Sequence, residues 1–292
     1  MKIAIAGYGV EGRASLKYFR RKYPRAEFLI VDQNDIKNPA DDIIVHTGTN
    51  VFSERLNDVN LVIRTPSIAP YHIHTLGKIW SATNEFFAEC PAPIIGVTGT
   101  KGKGTVCSMI AAILRQAGKT VHTVGNIGTP GLDMLPQITP RDVVIYELSS
   151  FQLWDLERSP HIAVVLMIEP DHLDVHRTFD EYIDAKSNIC RYQQANDITI
   201  YTYSMKFSGG VFARLPNFFK LAMNIKQLRA EVISCYDISA LMIAYISTLF
   251  LPKANKPRLI YDAHEFEFGR NSKRGKFSSF CAVMAERFLV GR

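Results

Sequence analysis

A glycine-rich loop between an apolar run and a helical pattern constrains the fold of this chain most strongly. The loop, Gly96 to Thr105, reads GVTGTKGKGT and follows the residues PAPII. After it, apolar residues recur at helical spacing in GTVCSMIAAILRQAGK, which ends near Gly118. A strand, a glycine turn and a helix in this order are typical of α/β domains, where backbone N–H groups at the helix N-terminus can hold an anion.

The residue types in this loop favour phosphate as the anion. Glycine lets the backbone approach a ligand without a Cβ clash, and the Lys103 ammonium can reach outer phosphates. The predicted nucleotide-binding residues are Gly99, Thr100, Lys101, Gly102, Lys103, Gly104 and Thr105. Such loops usually place Ser or Thr after the lysine, where this chain has Gly104. We therefore expect the Thr105 hydroxyl or a water molecule to complete the shell of a magnesium ion.

A second glycine turn opens the chain. The run KIAIA is followed by Gly7-x-Gly9-x-x-Gly12, a helical pattern and the strand EFLIVDQN, which ends near Asp32. This β-α-β pattern, with an acidic residue roughly twenty positions past the last glycine, fits a dinucleotide-binding fingerprint. An NAD-binding domain is therefore one interpretation of residues 1–90.

The remaining patterns divide the chain into three α/β parts. DIIVHTG and NLVIRTPSIAP add strands to a mostly parallel, Rossmann-like sheet in residues 1–90. TVHTVGN, DVVIYELSS and IAVVLMIEP add strands to a P-loop-type domain in residues 91–204, and residues 205–292 form an α/β fragment with a strand from Glu231 to Cys235. Residues 1–204 carry 20 Lys and Arg against 22 Asp and Glu, whereas residues 205–292 carry 14 against 6. The basic last part suggests an anionic ligand or membrane surface, or a solvated basic face.

Composition argues against several functional classes. The longest apolar stretch, Ala240 to Leu251, is too short for a membrane span, and the first residues form a strand instead of a signal peptide. We therefore expect a cytoplasmic protein without a transmembrane segment and without a nucleic-acid partner. The cysteines have no metal-binding spacing and are expected to be reduced thiols: Cys90, Cys107, Cys190, Cys235 and Cys281.

Four motifs in a fixed order suggest a family. They are TGTKGKGT, GNIGTP at residues 125–130, ELSSFQL at residues 147–153 and EPDHLDVHRTFDEYIDAKSNI at residues 169–189. Their order and spacing resemble the Mur ligases over residues 1–204. The resemblance implies a ligase of peptidoglycan precursor synthesis that uses ATP and Mg²⁺ to join D-glutamate to UDP-N-acetylmuramoyl-L-alanine through an acyl phosphate. It also reassigns the first glycine turn from NAD to the UDP part of this substrate.

The same resemblance implies roles for single residues. Lys103 would hold the outer phosphates, Glu147 the first magnesium ion and His172 the second, although its chemistry alone would make His172 a hydrogen-bonding or core histidine. Lys186 would be carbamylated and would support the metal site as an anion. Thr65–Pro70 would help to hold the diphosphate. The residues implied on the substrate side, with Asp32 at the uridine, are Gly9, Val10, Asp32, Asn126, Ser149 and Gln152.

Residues from about 205 resemble a different family. The segment PRLIYDAHE, which includes Tyr261–Glu265, is similar to the N-terminal half of retaining GT-B glycosyltransferases. We therefore expect an incomplete ligase central domain joined to a glycosyltransferase-like fragment, with poor packing near residues 200–215. Two alternatives to an active ligase stay open: a glycosyltransferase of cell-envelope synthesis, and a non-catalytic nucleotide-binding protein.

Overall fold

The computed structural model describes residues 1–36, 42–126, 129–201, 220–227, 230–235, 238–248, 251–252 and 255–261. The chain divides into two compact units, Met1–Ser204 and Met205–Arg292. In the described residues of both units, parallel strands are joined by helices, which confirms the predicted α/β class. Most of residues 200–215 and the YDAHE motif after Tyr261 lie outside the described residues.

The first sheet of the Met1–Ser204 unit contains five parallel strands. Its elements are β1 (Lys2–Ala6), α1 (Val10–Lys22), β2 (Glu27–Asp32), β3 (Ile44–Thr47), α2 (Val51–Glu54), β4 (Leu61–Arg64), a 3-10 turn (Pro70–His72), β5 (Lys78–Ser81) and α3 (Ala82–Glu89). The strand order is β3-β2-β1-β4-β5. Apolar, β-branched runs form the central strands, whose residues are mostly buried.

The second sheet also contains five parallel strands. Its elements are β6 (Ile94–Thr98), α4 (Lys103–Gln116), β7 (Val121–Gly125), α5 (Gly131–Met134), a 3-10 turn (Leu135–Gln137), β8 (Val143–Glu147), α6 (Ser150–Leu153), β9 (Ile162–Val165), α7 (Phe179–Arg191) and β10 (Ile198–Tyr201). The strand order is β10-β9-β6-β8-β7. Helix α4 buries Cys107 and Ala111 against Val97 and Ile145 of the sheet, as its apolar spacing predicts.

The two sheets share one hydrophobic core. Ile3 and Phe19 from the first sheet layer belong to the same buried cluster as Val144 of the second sheet. Between them, Phe86 of α3 packs edge-on against Tyr146 of β8, with ring centroids 5.2 Å apart. In sheets of this kind, ligands bind at the carboxyl ends of the strands where the strand order reverses. Those places lie between β1 and β4 in the first sheet and at β6 in the second.

The second unit contains a small β-α-β arrangement. Residues 220–227 are helical, and β11 (Val232–Cys235) pairs in parallel with β12 (Arg258–Tyr261), with the helix Ile238–Thr248 between them in the chain. Cys235, Leu241 and Ala244 form its buried core. Within the described ranges of the chain, no helix is both long and apolar enough to cross a membrane.

Candidate functional site

The loop predicted to bind phosphate lies between β6 and α4, at the carboxyl end of the second sheet. Gly99 has a φ of 150° and Gly102 a φ of 84°, both in the region that favours glycine. A Cβ at Gly99 would also lie only 2.6 Å from the Cβ of Leu166. Backbone conformation and close packing therefore both require glycine at this turn.

Thr100 fastens the loop to the segment between β9 and α7. Its backbone N–H donates to the Met167 carbonyl at 2.9 Å. Its hydroxyl oxygen accepts from the Glu169 N–H at 2.9 Å and lies 3.1 Å from the Tyr182 hydroxyl. Thr100 thus anchors the loop, whereas the next residue, Lys101, is exposed.

Lys103 and Lys186 both reach this loop. The Lys103 Nζ donates to the carbonyls of Gly99 at 3.0 Å and Thr100 at 3.1 Å. Lys186 comes from α7, is only 2% exposed and donates to the Gly99 carbonyl at 3.1 Å. Burial, and secondarily the charge of Lys103, lower the pKa of Lys186 to about 7. A large share of the Lys186 amine is therefore uncharged at neutral pH.

Glu147 ends β8 and lies beside the start of α4. Its Oε1 accepts a hydrogen bond from the Asn126 Nδ2 at 3.1 Å, and the Asn126 N–H donates to its carbonyl at 3.1 Å. Its Oε2 is buried without a hydrogen-bond partner among the described residues, and a Cβ at Gly104 would lie 3.2 Å from it. A buried carboxylate oxygen without a partner is destabilising, so a cation fits this position.

These residues fit a magnesium ion that is bound together with nucleotide phosphates. Mg²⁺ takes oxygen ligands and is usually held by one or two carboxylates plus phosphates and waters. In the part of the chain that the structure describes, no group of three or more His, Cys, Asp or Glu side chains could hold a metal ion. Glu147 would therefore supply one anchoring oxygen and the nucleotide several of the others.

The other two predicted metal ligands lie on different segments. Thr105 is exposed on α4, one residue after Gly104, which is the residue next to the Glu147 carboxylate. His172 precedes α7 and has a φ of 53°, an uncommon conformation for a residue other than glycine. Its half-exposed imidazole lies 3.7 Å from the Asp171 carboxylate. The metal-binding roles of Thr105 and His172 stay predictions.

Ser149 and Gln152 form the N-terminal cap of α6. The Gln152 N–H donates to the Ser149 Oγ at 3.2 Å, and the Ser149 N–H donates to the Gln152 Oε1 at 3.0 Å, which is a capping box. The Gln152 Nε2 donates to the Glu11 Oε1 of α1 at 3.2 Å. Both predicted substrate-side residues thus also have structural roles at the junction of the two sheets.

The turns after β1 and β4 form a crevice in the first sheet. A Cβ at Gly7, which has a φ of 88°, would lie 2.2 Å from the Thr65 Oγ1. The Thr65 hydroxyl donates to the Ala6 carbonyl at 2.9 Å, which holds the two turns together. The structure therefore brings the two segments predicted to hold the UDP group to the point where the strand order reverses.

The remaining predicted UDP-site residues surround this crevice. Gly9 is the N-cap of α1, and Val10 at its first position is 62% exposed. The Asp32 carboxylate at the end of β2 accepts a hydrogen bond from the Tyr8 N–H at 2.7 Å. Asp32 thus fixes the glycine turn in addition to any contact with a ligand.

Sequence reasoning missed two buried polar residues near these sites. Arg64 is completely buried and bonded to Asp155, and only its place at the end of an apolar strand could have marked it. His176 is also completely buried, 2.9 Å from the Ser150 hydroxyl and stacked on Trp154 with ring centroids 4.1 Å apart. Burial lowers the pKa of His176, so it is a neutral packing residue at pH 7.

Comparison with known proteins agrees with the four-motif pattern. The family model of the Mur ligase middle domain matches residues 97–234, so the match continues past residue 204. A UDP-N-acetylmuramoylalanine–D-glutamate ligase of Clostridium kluyveri is 34% identical over 210 residues, 68% of this chain and 46% of that protein. The ligase of the same name from Clostridium tetani is 32% identical over 219 residues, 71% of this chain and 48% of that protein. The chain therefore spans about half the length of the curated relatives it matches.

Two solved structures are more distant. A MurF ligase from Thermotoga maritima in complex with ADP is 16% identical with a TM-score of 0.35, covering 68% of this chain and 42% of that chain. The UDP-N-acetylmuramate-alanine ligase MurC of the same organism is 13% identical with a TM-score of 0.37, covering 100% of both chains.

Proposed function

Because the N-terminal two thirds of this chain belongs to the Mur ligase family, we propose that residues 1–204 bind the substrates of a D-glutamate-adding ligase. These substrates are ATP, held at the Lys103 loop, and UDP-N-acetylmuramoyl-L-alanine, held at the crevice between β1 and β4. One observation carries the proposal. Lys103, Lys186 and Glu147 come from three separate elements and meet at one glycine loop, in a chain that is 34% identical over 210 residues to a curated ligase of that name.

The proposed reaction explains why Lys103 and a carboxylate suited to magnesium, Glu147, lie at the loop. A carboxylate oxygen of the substrate attacks the γ-phosphorus of ATP, the bond to the bridging oxygen breaks, and ADP leaves. The D-glutamate amine then attacks the acyl carbon, loses a proton and displaces phosphate. Negative charge accumulates between the phosphates and the attacking carboxylate, which positioned cations stabilise. Lys103 would exchange the Gly99 and Thr100 carbonyls for phosphate oxygens, and a magnesium ion on Glu147 would neutralise further charge.

Carbamylation of Lys186 is part of the same proposal. An uncharged amine can attack the carbon of CO₂, form an N–C bond and release a proton, which leaves a carbamate anion. The lowered pKa of Lys186 supports this step, since a large share of its amine carries no proton at pH 7. The Lys103 ammonium would then lie beside a carbamate anion on Lys186 and not beside a second ammonium group. Incubation with ¹³C-labelled bicarbonate should give a carbamate NMR signal that is absent from Lys186→Met.

Calorimetry on the whole 292-residue chain tests the binding proposal. We expect separate, saturable binding of Mg·ATP and of UDP-N-acetylmuramoyl-L-alanine. Lys103→Ala should weaken Mg·ATP at least about 10-fold, because a charge-assisted contact to phosphate is lost. The matched control is Lys119→Ala, an exposed lysine beyond the end of α4. Equal Mg·ATP affinity in the two variants, or no binding of the UDP ligand, would contradict the proposal.

A second candidate function is binding without catalysis. Phosphate release after addition of D-glutamate distinguishes a ligase from a binding protein. Either function, on nucleotide-linked precursors, would place the protein in the cytoplasm. The glycosyltransferase interpretation of residues 205–292 stays a prediction, which turnover of a sugar nucleotide without ATP would support.

A further inference from the structure

Arg64 makes an unusually complete set of hydrogen bonds at the end of β4. Its Nε and Nη2 donate to the two Asp155 carboxylate oxygens at 2.8 and 2.6 Å. Its Nη2 also donates to the Phe151 carbonyl at 3.0 Å. Its Nη1 donates to the carbonyls of Thr65 at 3.2 Å and Ile68 at 2.8 Å. A guanidinium has five N–H donors in a rigid fork, so these contacts use all of them.

These contacts connect two separate parts of the site. Thr65 and Ile68 belong to the turn that packs on Gly7 at the crevice of the first sheet. Phe151 lies in α6 and Asp155 shortly after it, on the side of the second sheet that carries Glu147. The partners Arg64 and Asp155 are 91 residues apart in the chain. The guanidinium is thus a direct link between the crevice and the segment that follows Glu147.

Asp155 is itself held in place. Its carbonyl accepts a hydrogen bond from the Asn84 Nδ2 of α3 at 2.7 Å. The Asn84 Oδ1 in turn accepts from the Glu157 N–H at 2.8 Å. The carboxylate therefore presents a fixed partner to Arg64. A buried ion pair stabilises a fold poorly compared with packed apolar side chains. The Arg64–Asp155 pair is therefore better explained by a role in fixing the positions of its neighbours.

We propose that Arg64 is a positioning residue for the UDP substrate, because it sets the shape of the Thr65–Ile68 turn and fixes that turn against α6. The inference rests on the proposed function, which places the diphosphate at this turn. Carbonyl oxygens that faced the crevice would repel a diphosphate. Arg64 binds the carbonyls of Thr65 and Ile68 on the buried side of the turn. A lysine has only three donors and no fork, so it cannot hold both carbonyls and both carboxylate oxygens.

The test measures ligand affinities of the whole chain carrying Arg64→Lys. We expect the affinity for UDP-N-acetylmuramoyl-L-alanine to fall about 10-fold or more, since small displacements of positioning groups have large effects. The affinity for Mg·ATP should stay within about twofold, because the Lys103 loop is held by other contacts. The conservative variant Asp155→Asn keeps the side-chain volume and should show a smaller loss with the same selectivity.

A matched control removes a different ion pair from the same sheet layer. Lys22→Met breaks the contacts of the Lys22 Nζ with Glu85 and Glu89, both 2.6 Å, which link α1 to α3. This variant should lower the melting temperature and leave both affinities unchanged. If Arg64→Lys weakens the binding of UDP-N-acetylmuramoyl-L-alanine and of Mg·ATP equally, or weakens neither, the proposed positioning role of Arg64 is wrong. If it does not fold, Asp155→Asn decides by the same criterion.

Hydrogen exchange separates this inference from the proposed function. The Ile68 N–H donates to the Thr65 carbonyl at 3.1 Å inside the turn that Arg64 holds. Arg64→Lys should speed exchange of this amide without ligand and leave β2 amides such as that of Leu29 unchanged. A wild-type chain that does not bind the UDP ligand contradicts the proposed function. Exchange of the Ile68 amide at the wild-type rate in Arg64→Lys contradicts the inference itself.

Discussion

Lys103 and Lys186 donate hydrogen bonds to the same oxygen, the Gly99 carbonyl, at 3.0 and 3.1 Å. Two ammonium groups that share one neutral acceptor in a mostly buried place repel each other. Burial, and secondarily this repulsion, lower the pKa of the more buried lysine, Lys186, to about 7. The protonation of one lysine is therefore linked to the position of the other, and a phosphate that draws Lys103 away would change both.

Removal of the Lys103 charge should raise the pKa of Lys186. In Lys103→Met the repulsion disappears, while the burial of Lys186 stays. Titration of ¹³C-labelled lysine side chains by NMR from pH 5 to 10 measures this pKa directly. Lys101→Met, which removes an exposed lysine of the same loop, is the matched control and should leave it unchanged. An identical Lys186 titration in wild type and Lys103→Met would show that burial alone sets the pKa.

In CO₂-free buffer, where its amine is not carbamylated, Lys186 should also make stability depend on pH. Its pKa is about 7 when folded and near 10.5 when unfolded, so between these values the unfolded chain binds the extra proton. This contribution makes the free energy of unfolding rise with pH across that window. Lys186→Met lacks this contribution. From pH 7 to 9.5 the free energy of unfolding of the wild type should therefore rise by about 3 kcal/mol more than that of the variant. If urea unfolding shows the same change in unfolding free energy between the two pH values for wild type and variant, the expectation is wrong.

Asn126 should control metal-dependent nucleotide binding through Glu147. Its side chain holds the Glu147 Oε1, whereas the Oε2, which lies beside Gly104, has no hydrogen-bond partner among the described residues. Loss of a residue that orients a metal ligand typically weakens metal affinity about 10–100-fold. Calorimetry should show such a loss for Mg·ATP in Asn126→Ala and little change for ATP in EDTA. A similar loss in EDTA would instead point to damage to the loop itself.

The hydroxyl of Thr105 is tested by two substitutions at one position. Thr105→Ala should weaken Mg·ATP binding, whereas Thr105→Ser keeps the hydroxyl and should bind as the wild type does. The comparison is needed because Gly104, and not Thr105, is the residue next to the Glu147 carboxylate. If Thr105→Ala binds Mg·ATP with wild-type affinity, the Thr105 hydroxyl is not a magnesium ligand. A water molecule would then complete the magnesium shell.

The strands that could be predicted from the sequence are those with a strong local pattern. The runs KIAIA, EFLIV and VVIYE are apolar because both faces of a parallel sheet are covered. β5 and β10 were not predicted. Each has only four residues, and three of the four residues of β10 are exposed, so their apolar pattern is weak.

The candidate site could likewise be predicted from the sequence only in part. Lys103 and Glu147 could be placed from sequence because one follows a glycine turn and the other ends an apolar strand, and in parallel sheets such positions share one edge. Their separate contacts could not be predicted. Nothing in the local sequence indicates that Asn126 holds the Glu147 carboxylate, or that Gln152 bonds to Glu11 across 141 residues. The first pairing depends on the register of β7 against β8, and the second depends on how the two sheets pack.

The buried guanidinium of Arg64 has a consequence for how the chain folds as it is synthesised. Residues 1–90 include every strand of the first sheet, but the carboxylate that balances Arg64 is made 91 residues later. Until Asp155 leaves the ribosome, the first sheet must either leave Arg64 in water or bury an unpaired charge. We therefore expect the first sheet to complete its packing around Arg64 only after Asp155 has been synthesised, despite the N-terminal position of this sheet.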